Sequence, residues 1–178
     1  LVTQPTTAQE GADDLQAWLT AAKIPAPYVL VSHSWCGMIT TMYAGSHPDN
    51  VAGPVYVDSA TPNLQDALTP QQWSTFIGAL PKLLDGSNAE VPNYPASMEA
   101  VRTAAKNLPQ VPTVVITADQ QFDFGAGGAE TWPAWGQAQT EFARQHNARH
   151  ITETESSHMI PLNQPQLVAD AVIEVVGE

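Results

Sequence analysis

The stretch "PYVLVSHSWCGMITTMYA", residues 27–44, decides the fold. Tyr28, Val29, Leu30 and Val31 form a continuous apolar run, as in a strand buried on both faces of a parallel sheet. The run stops at Ser32-His33-Ser34-Trp35-Cys36-Gly37, and residues 37–46 then read as a helix closed by a His-Pro-Asp-Asn turn at 47–50. The junction carries two serines, a histidine and a cysteine where a plain connection needs only glycine or asparagine.

Upstream, Thr7-Ala8-Gln9-Glu10 has the form of a capping box, and Leu15, Trp18, Leu19 and Ala22 recur at helical spacing, so residues 7–23 are expected to be a helix ended by Pro25 and Pro27. Downstream, residues 51–57 form a second continuous apolar run, followed by Asp58-Ser59-Ala60-Thr61-Pro62. From 63 to 107 the text changes: Pro70, Trp73, Phe76, Pro81, Asp85-Gly86-Ser87-Asn88, Pro92 and Pro95 interrupt short helical patches, as in an irregular insertion. Residues 111–117 read as a third strand, 120–128 as a glycine-rich loop, 132–145 as a helix and 150–152 as a short fourth strand. The last helix, 162–176, places Leu167, Val168, Ala171, Val172 and Val175 on one face.

This alternation predicts an α/β fold, a mostly parallel sheet flanked by helices, in a single domain over residues 1–178 with 63–107 as a helical cap. In such sheets chemistry collects at the carboxyl ends of the strands. The polar clusters at 32–36, 58–61, 118–123 and 155–158 all fall there.

The bulk composition removes several classes. A chain of 178 residues, 43% hydrophobic, suits one globular domain. With 18 acidic and 6 basic residues and a formal charge of −12, it lacks the cations that nucleic acids or anionic membranes attract. The single cysteine, Cys36, has no disulfide partner, and neither a CxxC pair nor a zinc-finger spacing exists, so neither a metal nor another cofactor is expected. No window approaches the roughly 18 apolar residues of a membrane span, and no signal-peptide pattern opens the chain, which leaves its compartment unassigned.

The strand-turn-helix around Ser34 resembles the nucleophile elbow of the α/β-hydrolase superfamily, with Ser32 and Cys36 where its Gly-x-Ser-x-Gly form has glycines. "VPTVVITADQQFD" (111–123) resembles the strand that precedes the superfamily's acid, and "ETESSHMIPLNQPQLVADAVIEVV" (153–176) its histidine segment. The resemblance runs from residue 7 to 176 and implies a serine hydrolase for carboxylic esters, working through an acyl-enzyme. Ser34 is the implied nucleophile and His158 the base, because a serine hydroxyl attacks only when a neighbour accepts its proton. The acid is left open: Asp58 leads, because some branches place it after the preceding strand; Asp123 is the rival and Asp119 ranks third.

The Trp35 N–H is the implied oxyanion donor, His33 and Cys36 are read as structural, and Trp73, Phe76 and Trp132 are expected to wall an apolar substrate pocket. In the superfamily the elbow follows the fifth strand of eight, so the strands bearing the second oxyanion amide have no counterpart here. The expected partners are therefore a small ester substrate and either the missing N-terminal segment or a second copy of the chain. A non-catalytic binding protein on the same scaffold, or a fragment that needs its N-terminal part for activity, is the alternative reading.

Overall fold

A computed structural model of the chain describes residues 5–83, 91–122 and 128–177. Four parallel strands lie in the order β1 (Tyr28–His33), β2 (Val51–Val57), β3 (Val114–Ile116) and β4 (Arg149–Ile151). Their register matters most for the site. His33 pairs with Val57 and Val57 with Ile116, so Ser34, Asp58 and Thr117 are each the first residue beyond the same row of the sheet.

Strand residues alternate between two cores. Val55, Val57, Val114 and Ile116 meet Ile160, Ala171 and Val175 from α7 (Ile160–Asn163) and α8 (Pro165–Val176). Tyr56 and Val115 face the other way, against Phe142 of α6 (Gly128–Gln145). Burying each such aliphatic side chain contributes about 1.5–3 kcal/mol relative to leaving it in water, so β2 and β3 form the most firmly held part of the sheet.

The first helix, α1 (Ala8–Ala22), carries the capping box expected from its sequence: the Thr7 hydroxyl accepts from Glu10 N–H at 3.2 Å and Glu10 Oε2 accepts from Thr7 N–H at 2.8 Å. It packs on α2 (Cys36–Ser46), the helix that leaves the elbow.

Three elements differ from the sequence expectation. Two prolines of the 63–107 segment begin helices instead of breaking them: Pro70 opens α4 (Pro70–Leu83), and Pro95 lies in the first turn of α5 (Tyr94–Ala105), where a missing N–H costs nothing, while Pro81 lies inside α4. Between β2 and α4 the chain makes only a short helix, α3 (Leu64–Ala67). Second, α5 joins the body of the domain, packed on α1 and α2 so tightly that a Cβ on Gly45 would lie 2.3 Å from the Ala104 carbonyl oxygen. Third, the last helix is two, because Pro165 supplies no N–H to continue α7 and Gln164 before it leaves the helical region (φ −133°, ψ 57°). The expected Asp85-Gly86-Ser87-Asn88 turn lies outside the described residues.

On its outer side β1 has no strand partner among the described residues. Val31 is 50% exposed there. A cavity of about 600 Å³, lined by Leu15, Ile24, Tyr28, Val31, Cys36 and Ile39 among others, runs beside this edge.

Candidate active site

Ser34 ends β1 in a left-handed conformation, φ 57°, which a residue with a Cβ adopts only when its surroundings enforce it. The enforcement is visible in its carbonyl, which accepts from Gly37 N–H (3.1 Å) and from Ala60 N–H (2.8 Å) and so ties the first turn of α2 to the loop after β2. Gly37 makes that approach possible: a Cβ there would sit 2.5 Å from both the Ala60 carbonyl oxygen and Ser59 Cβ. The tight contact of this elbow is thus three residues after the serine. Ser32 is buried, whereas Cys36, expected as a packing residue, is exposed beside the open edge of β1. The Trp35 N–H, at the start of α2, has no acceptor among the described residues.

Asp58 also has a positive φ, 39°, and is fully buried. Its Oδ2 lies 2.6 Å from His158 Nδ1, while Oδ1 accepts from Ala118 N–H (3.1 Å) and Gln139 Nε2–H (2.9 Å). A carboxylate with two N–H donors on one oxygen presents the other as an acceptor, so the proton between them belongs to Nδ1. Neutral His158 then carries its lone pair on Nε2. The structure brings together two residues that lie 100 positions apart in the chain.

His158 reaches this place because the loop before α7 is tied down at two points. Asp119, three residues beyond the end of β3, accepts from the backbone N–H groups of Thr154 (3.0 Å), Glu155 (2.9 Å) and Ser156 (3.0 Å). His33 donates its Nε2–H to the His158 carbonyl oxygen at 2.7 Å, and the two rings lie 4.5 Å apart. Desolvation holds the His33 imidazole below its usual pKa, against the opposing pull of that carbonyl.

Asp119, third among the sequence candidates for the acid, has both carboxylate oxygens engaged by this loop. Desolvation, which acts to raise its pKa, is outweighed by the N–H groups of Glu155, Ser156 and Thr154, and the carboxyl lies below its ordinary range. A depressed folded value means that its stabilisation is present above the unfolded carboxylate pKa and is lost as pH falls through the folded one. Asp119→Ala is therefore expected to lower the urea midpoint at pH 7, with the gap to wild type closing as the pH is taken below 3.8, the ordinary value of the group. Urea titrations of both proteins across that range check it.

Asp123, the rival acid, lies outside the described residues. Of the expected pocket walls, Phe76 is buried and packs its ring on Tyr94 (5.3 Å) and Trp135 (6.4 Å). Trp73 is half-buried against Phe76 and Tyr94. Trp132 is half-buried between the two main cores.

The aromatic rings beside His158 were not singled out in the sequence: Phe122 lies 5.1 Å from the imidazole and Trp135 5.9 Å, edge to face. Tyr94, 4.5 Å from Trp35, joins them to the elbow. One signal was legible, since Trp135 and Gln139 are four apart on α6 and so share a helix face. Among the described residues no group of three or more His, Cys, Asp or Glu side chains is placed to hold a metal ion, and no helix is long and apolar enough to cross a membrane.

A parallel sheet with an elbow serine after one strand and a buried carboxylate–histidine pair beside it defines a class, and sequence comparison gives the class its name. The model of the alpha/beta hydrolase family matches residues 3–171, and the chain belongs to that family. Among curated proteins, the uncharacterized protein YqjL of Bacillus subtilis (strain 168) is 24% identical over 170 residues. That match covers 95% of this chain and 64% of YqjL, so the chain spans less than two thirds of that relative. Among solved structures, a thermophilic esterase from Thermogutta terrifontis, with malate bound, is similar at a TM-score of 0.62 and 16% identity, over 99% of this chain and 74% of the other. Est816, described as an N-acyl homoserine lactone degrading enzyme, is similar at a TM-score of 0.63 and 22% identity, over 96% and 75%. At these identities the likeness is one of fold.

Proposed function

We propose that this chain carries the nucleophile, base and acid of a serine hydrolase acting on carboxylic esters. The observation that supports it best is the 2.6 Å hydrogen bond between buried Asp58 and His158, at the strand ends where the Ser34 elbow also lies. Ser34 Oγ attacks the ester carbonyl as His158 Nε2 takes its proton, and the resulting imidazolium is stabilised by Asp58 through Nδ1–H. The Trp35 N–H, at the positive end of α2, faces the negative charge that develops on the carbonyl oxygen. The imidazolium returns its proton to the departing alkoxide, leaving an acyl-enzyme, and water activated by the same nitrogen releases the acid.

Trp35, Trp73, Phe76, Tyr94 and Trp135 form a continuous set of ring contacts reaching His158, which suits an apolar acyl or aromatic group. Helices α3 and α4 serve as the cap, and the open edge of β1 is where a further strand adds, from an N-terminal segment or a second copy.

The test is the intact mass of the chain after exposure to a fluorophosphonate. One adduct is expected on the wild type and none on Ser34→Ala or His158→Ala. A folded wild-type chain that stays unlabelled, or a label that survives Ser34→Ala, sinks the reading for this chain.

A further inference from the structure

Gln139 is buried at 1% exposure in the middle of α6, an unusual place for an amide that a leucine or methionine would fill without polar partners. Both ends of that amide are used. Its Nε2 lies 2.9 Å from Asp58 Oδ1, and its Oε1 accepts from the Thr117 hydroxyl at 3.0 Å. The same hydroxyl lies 2.8 Å from His150 Nε2.

These contacts fix the direction of every proton. A hydroxyl has one hydrogen, and Thr117 gives it to an amide oxygen that can only accept, so towards His150 it is an acceptor and His150 Nε2 carries the proton. Turning the Gln139 amide over would set its oxygen against the Asp58 carboxylate, which excludes that orientation. The chain therefore runs one way, from His150 through Thr117 and Gln139 to Asp58, and hydrogen bonds aligned head to tail polarise one another.

We infer that Gln139 is a positioning residue for the Asp58–His158 pair, held in its working orientation by the Thr117–His150 link. Ala118 N–H alone leaves the carboxylate a single anchor about which it can swing. With Gln139 as a second donor on Oδ1, the plane of the carboxylate is set and Oδ2 is aimed at His158 Nδ1. The catalytic consequence rests on the proposed function above, whereas the effect on the His158 proton does not.

The experiment therefore uses two readouts on the full chain: the His158 Nδ1–H signal in imidazole ¹H–¹⁵N NMR, and the rate of fluorophosphonate labelling. Gln139→Leu and the better volume match Gln139→Met are expected to move or broaden the Nδ1–H signal and slow labelling about tenfold, the loss typical of one hydrogen bond to a charged group. Thr117→Val removes the donor to Gln139 Oε1 and the link to His150 together but leaves the Gln139–Asp58 bond in place, and is expected to perturb the same signal less, with Thr117→Ser restoring it. A packing role leaves the signal unmoved.

An unchanged signal in folded Gln139→Leu or Gln139→Met overturns the inference. If neither folds, the Thr117 pair decides: equal spectra for Val and Ser overturn it, and restoration by Ser supports it. Absence of labelling in the wild type defeats the proposed function alone, since the NMR arm still reads the positioning.

Discussion

Asp58→Asn is expected to lower kcat for an aryl ester, and the fluorophosphonate labelling rate with it, by about ten-thousandfold while leaving the fold intact. The reason lies in the donors around Oδ1. Ala118 N–H and Gln139 Nε2–H both require an acceptor at that position, so the asparagine oxygen settles there and its NH2 faces His158. A donor opposite Nδ1 forces the imidazole into its other tautomer, with the proton on Nε2, and a protonated Nε2 cannot accept hydrogen from Ser34. The buried groups remain paired, which is why unfolding by heat or urea should change little. A loss of less than tenfold in a folded variant would show that Asp58 is not the acid.

The second large effect is structural. Gly37→Val is expected to destabilise the domain by about 3 kcal/mol, in the range of overpacked cores. The new Cβ would meet the backbone oxygen of Ala60 at 2.5 Å, and backbone yields less than the tip of a flexible side chain. Residues 58–60 must move outward to relieve the overlap, and Asp58 moves with them, so labelling by fluorophosphonate should fall by about a hundredfold even where the variant stays folded. Gly78→Ala in α4 is the control, because nothing lies within 4 Å of the added carbon and alanine favours a helix. A Gly37→Val protein with the urea midpoint and labelling rate of wild type would contradict the account of the elbow.

Much of the architecture was readable because strands buried on two faces leave continuous apolar runs, as at residues 28–31 and 51–57, and because capping residues such as Thr7 and Glu10 mark where a helix starts. What the chain could not reveal by itself was distance between strands. The preference for Asp58 as the acid was narrow in the sequence because nothing in the text states that His33 pairs with Val57; once it does, residues 34 and 58 are neighbours. Asp119 was legible as an acid after a strand, but its attachment to three successive amides depends on how residues 154–156 come back across the sheet. Gln139 carried no signal beyond its spacing from Trp135, since a glutamine within a helix is ordinarily a solvated one.

The bond from His33 to the His158 carbonyl has a mechanical meaning. His33 is the last residue of β1, directly before Ser34, and it grips the backbone of His158 at the same time. Ser34 and His158 thus hang from one strand, the one whose outer side has no partner among the described residues. Amide hydrogen exchange in residues 152–159 is accordingly expected to be linked to exchange in β1. Whatever adds a strand to that edge should quiet both together, and what frays it should release both.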